Sequence, residues 1–117
     1  MGLSTHVLDT AHGRPGAGMA FTLYRIGADG ARQVLKSGIT DADGRAPGGL
    51  LAQDELRAGP YQLVFQVAAY FRAQGVTLPE PPFLDEVTLS FGIADLAAHY
   101  HVPLLVSPFG YTTYRGS

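Results

Sequence analysis

The chain has 117 residues, with eight Lys and Arg against ten Asp and Glu and a net charge of −2. That length suits a single domain spanning residues 1–117, burying roughly two-thirds of its unfolded surface. Without a basic stripe it is not expected to bind nucleic acid or an anionic membrane surface, and no apolar run approaches the ~20 residues of a membrane helix. Cysteine is absent, which excludes disulfides and thiolate metal sites. With no basic stretch leading into an apolar one at its start, the protein is expected in the cytoplasm, with small molecules or further copies of itself as partners.

Fifteen glycines and eight prolines punctuate short alternating runs, the texture of an all-β sandwich or barrel. Leu3 to Asp9 is the first expected strand, and the Gly- and Pro-rich stretch Ala11 to Gly18 reads as a loop. From Ala20 to Ile26, Phe21 and Leu23 alternate with Thr22 and Tyr24, and Ala28-Asp29-Gly30 turns the chain into a second run, Arg32 to Thr40. Thr40-Asp41-Ala42-Asp43-Gly44-Arg45 reads as a tight turn, because aspartates cap local backbone and Gly44 accepts positive φ. It lacks the distal Glu of a calcium loop.

Tyr61 to Val67 alternates again, and Ala68 to Gln74 favours a short helix that stops at Gly75. Pro79, Pro81 and Pro82 make the next segment a loop. Val87, Leu89, Phe91 and Ile93 share one face of a further strand. His101 to Ser107 is another, with Pro103 expected near an edge or a bulge. Seven or eight short strands and one helix predict two packed sheets.

Four histidines invite inspection, since imidazole transfers protons near neutral pH. His6 shares a strand face with Ser4 and Leu8, and polar groups there are unusual for a core face. His99 and His101 stand at i,i+2 and point the same way in an extended strand, a spacing that can chelate zinc; with no third ligand at a set spacing the pair is read as structural. His12, in a Gly-flanked loop, reads as solvated. Arg45 enters the segment after the turn, and its planar guanidinium suits bidentate binding of carbonyl or carboxylate oxygens. The last residues, Tyr114-Arg115-Gly116-Ser117, bring an aromatic ring, a guanidinium and a hydroxyl where domains usually carry disposable polar residues, so they are expected to dress a site. There is no nucleophile elbow and no phosphate-cradling loop, so covalent catalysis is not indicated.

Several of these segments together resemble a known pattern. They are Leu3-Ser4-Thr5-His6-Val7-Leu8-Asp9-Thr10, Gly13-Arg14-Pro15-Gly16, the turn from Thr40 to Arg45, His99-Tyr100-His101-Val102-Pro103-Leu104-Leu105, and the tail Tyr114-Arg115-Gly116-Ser117. The chain resembles the transthyretin-like family over essentially its whole length, on the 5-hydroxyisourate hydrolase branch, for which the tail together with His6 and Arg45 is the specific marker. The resemblance implies a prealbumin-type β-sandwich of two four-stranded sheets with one short helix. It also implies a homotetramer with sites in a channel at the interface between dimers. The implied reaction is hydrolytic ring opening of 5-hydroxyisourate to 2-oxo-4-hydroxy-4-carboxy-5-ureidoimidazoline, on the path from urate to allantoin. His6, Arg45 and His101 then take the catalytic places, and His6, Arg45, Tyr114 and Ser117 contact substrate, with no cofactor and no metal.

Those residue types suit the chemistry. Opening a cyclic amide needs a water deprotonated as it attacks and a developing oxyanion stabilised by a donor. His6 or His101 can serve as the base, and Arg45 can polarise the carbonyl. The segment Thr77 to Glu86 departs from the Phe-Phe-Pro-Glu stretch of many relatives, so its loop is expected to pack differently. The rival expectation is a non-catalytic carrier of a small hydrophobic ligand, which would line its channel with apolar side chains and would not need this tail.

Overall fold

Alternation along the middle of the chain sends Phe21, Leu23, Leu63, Phe65, Val87 and Leu89 inward, and all of them are buried. Thr22, Tyr24 and Gln62 point the other way and stay partly exposed. A computed structural model describes residues 2–116. These runs form β4 (Ala20–Ile26), β6 (Gly59–Gln66) and β7 (Glu86–Ile93), which with β5 (Arg32–Ile39) make a sheet of order β5-β4-β6-β7. Its register sets Leu23 opposite Leu63 and Leu63 opposite Leu89, a row of leucines across three strands. Fully burying each such side chain contributes about 1.5–3 kcal/mol.

The second sheet is built from the two ends of the chain. β2 (Val7–Asp9), β3 (Arg14–Pro15), β9 (Leu104–Ser107) and β10 (Gly110–Thr113) assemble in the order β10-β9-β2-β3. β1 (Leu3–Ser4) and β8 (Tyr100–His101) extend the same pair of chain segments as a parallel two-stranded piece. Leu3, Val7, Leu104 and Val106 join the inward side chains of the first sheet in one core cluster. The fold is therefore a prealbumin-type β-sandwich, with eight strands among the described residues when the interrupted strands β1/β2 and β8/β9 are each counted once.

The expected elements occur with small differences. The helix, α1 (Val67–Ala73), begins one residue early, where the amides of Val67 and Ala68 donate to the carbonyl of Asp85. The expected loop from Ala11 to Gly18 contains β3, paired with β2. Pro103 does not lie at a sheet edge, because β9 runs between β10 and β2. It coincides instead with the break between β8 and β9. Donation to the first strand comes from the amides of Tyr100, Val102 and Leu104, to the carbonyls of Gly2, Ser4 and His6. A proline between two of those donors removes no bond from that ladder, because its nitrogen faces the opposite side.

The turn before Arg45 closes as its aspartates predict. The Asp41 carboxylate accepts the amides of Asp43 and Arg45, each at 3.0 Å. Gly44 has φ +77°, and its carbonyl accepts the amide of Val7 at 2.7 Å. A Cβ at Gly44 would run into the Val7 carbonyl, so glycine is required by both backbone conformation and close approach.

Candidate active site

Four segments lie side by side at one end of the second sheet. An antiparallel bridge sets Arg45 against His6 on the first strand. On that strand's other side, Ser4 is in parallel register with His101, and His101 is bridged in turn to Gly116 of the tail. Strand geometry puts Ser4 and His6 on one face and sends Thr5 and Val7 to the core. Residues from both ends of the chain and from its middle thus converge across one short stretch of sheet.

The hydroxyl of Ser4 is hydrogen-bonded to Nδ1 of His101 at 2.8 Å. Burial first, and then the nearby charges of Arg45, His6 and His99, hold His101 below the usual histidine pKa of 6.5. Both effects favour the neutral imidazole. The guanidinium of Arg45 is exposed and pairs with no carboxylate among the described residues. Beside it opens a cavity of about 430 Å³ lined by Ser4, Thr5, Asp41, Arg45, Gly49 and His99, among others. His6 and His101 lie on the neighbouring strands and are not among the residues that line this cavity.

The tail is held close to this group. The Gly116 amide donates to the His101 carbonyl at 2.7 Å, and a Cβ on Gly116 would stand 2.7 Å from the His101 ring. The guanidinium of Arg115 lies 4.2 Å from the centre of the Tyr100 ring and donates to the His99 carbonyl at 3.4 Å. Arg115 therefore anchors the tail through the two residues that precede His101. Tyr114 is 56% exposed and lines a separate, mostly apolar cleft of about 190 Å³ with Leu89, Phe91, Tyr100 and Val102. Within one copy of the chain Tyr114 does not line the cavity beside Arg45. Ser117 lies outside the described residues.

Two sequence expectations change. His12 is not simply solvated: its Nδ1 lies 2.7 Å from the carboxylate of Asp9, whose side chain is fully buried. The Tyr70 hydroxyl donates to the same carboxylate at 2.8 Å. Burial alone would raise the Asp9 pKa, but the bonds from His12 and Tyr70 outweigh it and hold the carboxylate below its usual value. Burial and the hydrogen bond to Asp9 push Tyr70 up to about 12. The second change is Ser4, which the sequence reading left without a role. Its signal was the i,i+2 polar face shared with His6; only pairing with a distant strand reveals its partner. Among the described residues no three His, Cys, Asp or Glu side chains are grouped to hold a metal ion.

The HIUase/Transthyretin family matches residues 3–116. The chain belongs to this family. A 5-hydroxyisourate hydrolase from Mesorhizobium japonicum is 58% identical over 115 residues, covering 98% of this chain and 91% of that protein. Among solved structures, an (S)-allantoin synthase superimposes with a TM-score of 0.91 at 41% identity, over 98% of this chain and 43% of that one. Sea bream transthyretin in complex with thyroxine superimposes with a TM-score of 0.87 at 32% identity, over 99% of this chain and 95% of that chain. The HIUase/Transthyretin sandwich therefore supports different uses in these relatives, and the residues at the Arg45 end of the sheet must decide which applies here.

Proposed function

We propose that this chain hydrolyses 5-hydroxyisourate, opening its six-membered ring to give 2-oxo-4-hydroxy-4-carboxy-5-ureidoimidazoline on the way to allantoin. The observation that carries the reading is the His101 imidazole, its charged form disfavoured by burial, hydrogen-bonded to Ser4 near the guanidinium of Arg45, which pairs with no carboxylate among the described residues. It stands in a chain 58% identical to a 5-hydroxyisourate hydrolase.

His101 takes the role of general base. In the tautomer this role requires, Nδ1–H donates to the Ser4 hydroxyl and leaves the basic lone pair on Nε2, which accepts a proton from water as its oxygen attacks the ring carbonyl carbon. Arg45 stabilises the oxyanion that develops on that carbonyl. The carbon–nitrogen bond then breaks, and the proton held by His101 passes to the leaving nitrogen. His6, bridged to Arg45, binds substrate and adds a second imidazole to the site. Tyr114 and Ser117 complete substrate binding, and the whole of residues 1–117 acts as one hydrolase domain. The working form is a cytoplasmic homotetramer with sites at the dimer–dimer interface. Support for assembly comes from the outward-facing site and from exposed Phe109, Tyr111 and Tyr114 near the tail.

The test follows uricase-generated 5-hydroxyisourate by its ultraviolet absorbance. The protein should speed the decay, and His101→Asn should remove most of the acceleration, about 100-fold or more for loss of a general base. A decay rate unchanged by the purified protein would sink the hydrolase reading in favour of a carrier.

A further inference from the structure

Lys36 is the only lysine in the chain, and it is half-buried on β5, an edge strand of the sheet opposite the site. Its ammonium donates to the carbonyl of Gly49 at 2.6 Å and reaches that of Pro47 at 3.3 Å. Both carbonyls belong to the turn that directly follows Arg45, closed by the Gly49 amide donating to the Ala46 carbonyl at 2.9 Å. Gly48 and Gly49 have φ of +74° and +78°. Two successive left-handed glycines make this turn entropically expensive to hold in one shape. Arg45, Ala46, Gly48 and Gly49 together form one wall of the cavity.

We propose that Lys36 is a positioning residue for the reaction: its ammonium staples the turn of residues 46–49, setting the cavity wall and the approach of the Arg45 guanidinium. This rests on the hydrolase reading. A charged donor to two backbone carbonyls holds more strongly than a neutral one. The backbone of β5 pairs with β4, and the Lys36 side chain adds a tie from that strand to the turn. Lys36 does not line the cavity, so it acts through the turn. The ammonium has no carboxylate partner among the described residues and is committed to two carbonyls beside the site.

The experiment compares the parent protein with Lys36→Met and Lys36→Arg by steady-state kinetics on 5-hydroxyisourate and by hydrogen exchange. Lys36→Met should lower kcat/KM about tenfold, with the loss falling on kcat and the acidic limb of the pH profile unmoved, because the Arg45 guanidinium that meets the developing oxyanion is held less well while the base is untouched. Exchange should quicken in the peptide covering residues 46–50 and stay unchanged in β6 and β7. Lys36→Arg, long enough to reach the same carbonyls, should restore both readouts. Parent-like kcat/KM and exchange in Lys36→Met overturn the proposal. So does a loss confined to thermal stability and active fraction. If Lys36→Met fails to fold, Lys36→Gln, which loses the charge and the reach, is judged by the same criteria. If the parent protein itself fails to hydrolyse the substrate, the hydrolase reading falls, while the exchange arm still decides whether Lys36 holds the turn.

Discussion

His101 concentrates the chemistry of this molecule in one ring. Burial disfavours its charged form, and the adjacent Arg45, His6 and His99 disfavour it further, so its pKa is lowered from 6.5. A base with a lowered pKa is available throughout the neutral range and is lost only as pH falls below 6.5. The acidic limb of kcat/KM is therefore expected below 6.5. Arg45→Gln removes a nearby positive charge that disfavours protonation of the ring, so the His101 titration followed by NMR should move upward in that variant. An acidic limb above 6.5, or a His101 titration indifferent to Arg45→Gln, would contradict this assignment. At the same scale, Ser4 and Gly116 bracket the ring, one on Nδ1 and the other against its carbon edge. Neither is a reactive group, and each limits where the imidazole can turn.

At the scale of elements, the turn from Thr40 to Arg45 does the placing. Asp41 accepts two amides, and Gly44 hands its carbonyl to Val7, so Arg45 arrives opposite His6 in one register. Gly44→Ala is expected to cost about 2 kcal/mol or more, from the left-handed conformation and the collision with Val7. Chemical denaturation measures the cost, and activity should fall with it because Arg45 is displaced. Asp43→Ala serves as the control, since the exposed Asp43 side chain makes no hydrogen bond within the described residues. This turn was readable in the sequence, because Asp and Gly at those offsets carry local chemistry. Strands β4, β6 and β7 were readable for a similar reason, since period-2 alternation is visible without knowing the partner. The brief strand β3 was not, because a two-residue strand next to glycines has no periodicity to detect. The pairing of His12 with Asp9 is equally invisible in the sequence. A loop histidine three residues from an aspartate declares nothing until the strand buries that carboxylate.

Across the whole molecule, β7 and β10 stand at the outer ends of their sheets, and the tail lies near both. Exposed edges of this kind invite pairing with another chain. With Phe109 and Tyr111 exposed on and next to β10, the proposed homotetramer predicts four chain masses by light scattering at micromolar concentration. A monomer under those conditions would remove the dimer–dimer site from the proposal. The cleft lined by Tyr114 faces this same region, so assembly is also what would bring Tyr114 toward substrate.

The amino-acid sequence by itself determined the class of fold, most of the strands along the chain, the turn before Arg45 and the family. Each of these is written in local pattern or in residues whose identity is directly visible. Only the tertiary structure decided that Ser4 rests on His101, that Lys36 reaches across to Gly49, and that Tyr114 opens onto a different cleft from Arg45. Those contacts join segments far apart in the chain. Their geometry depends on register between strands, where a shift of one residue would turn every side chain to the opposite face.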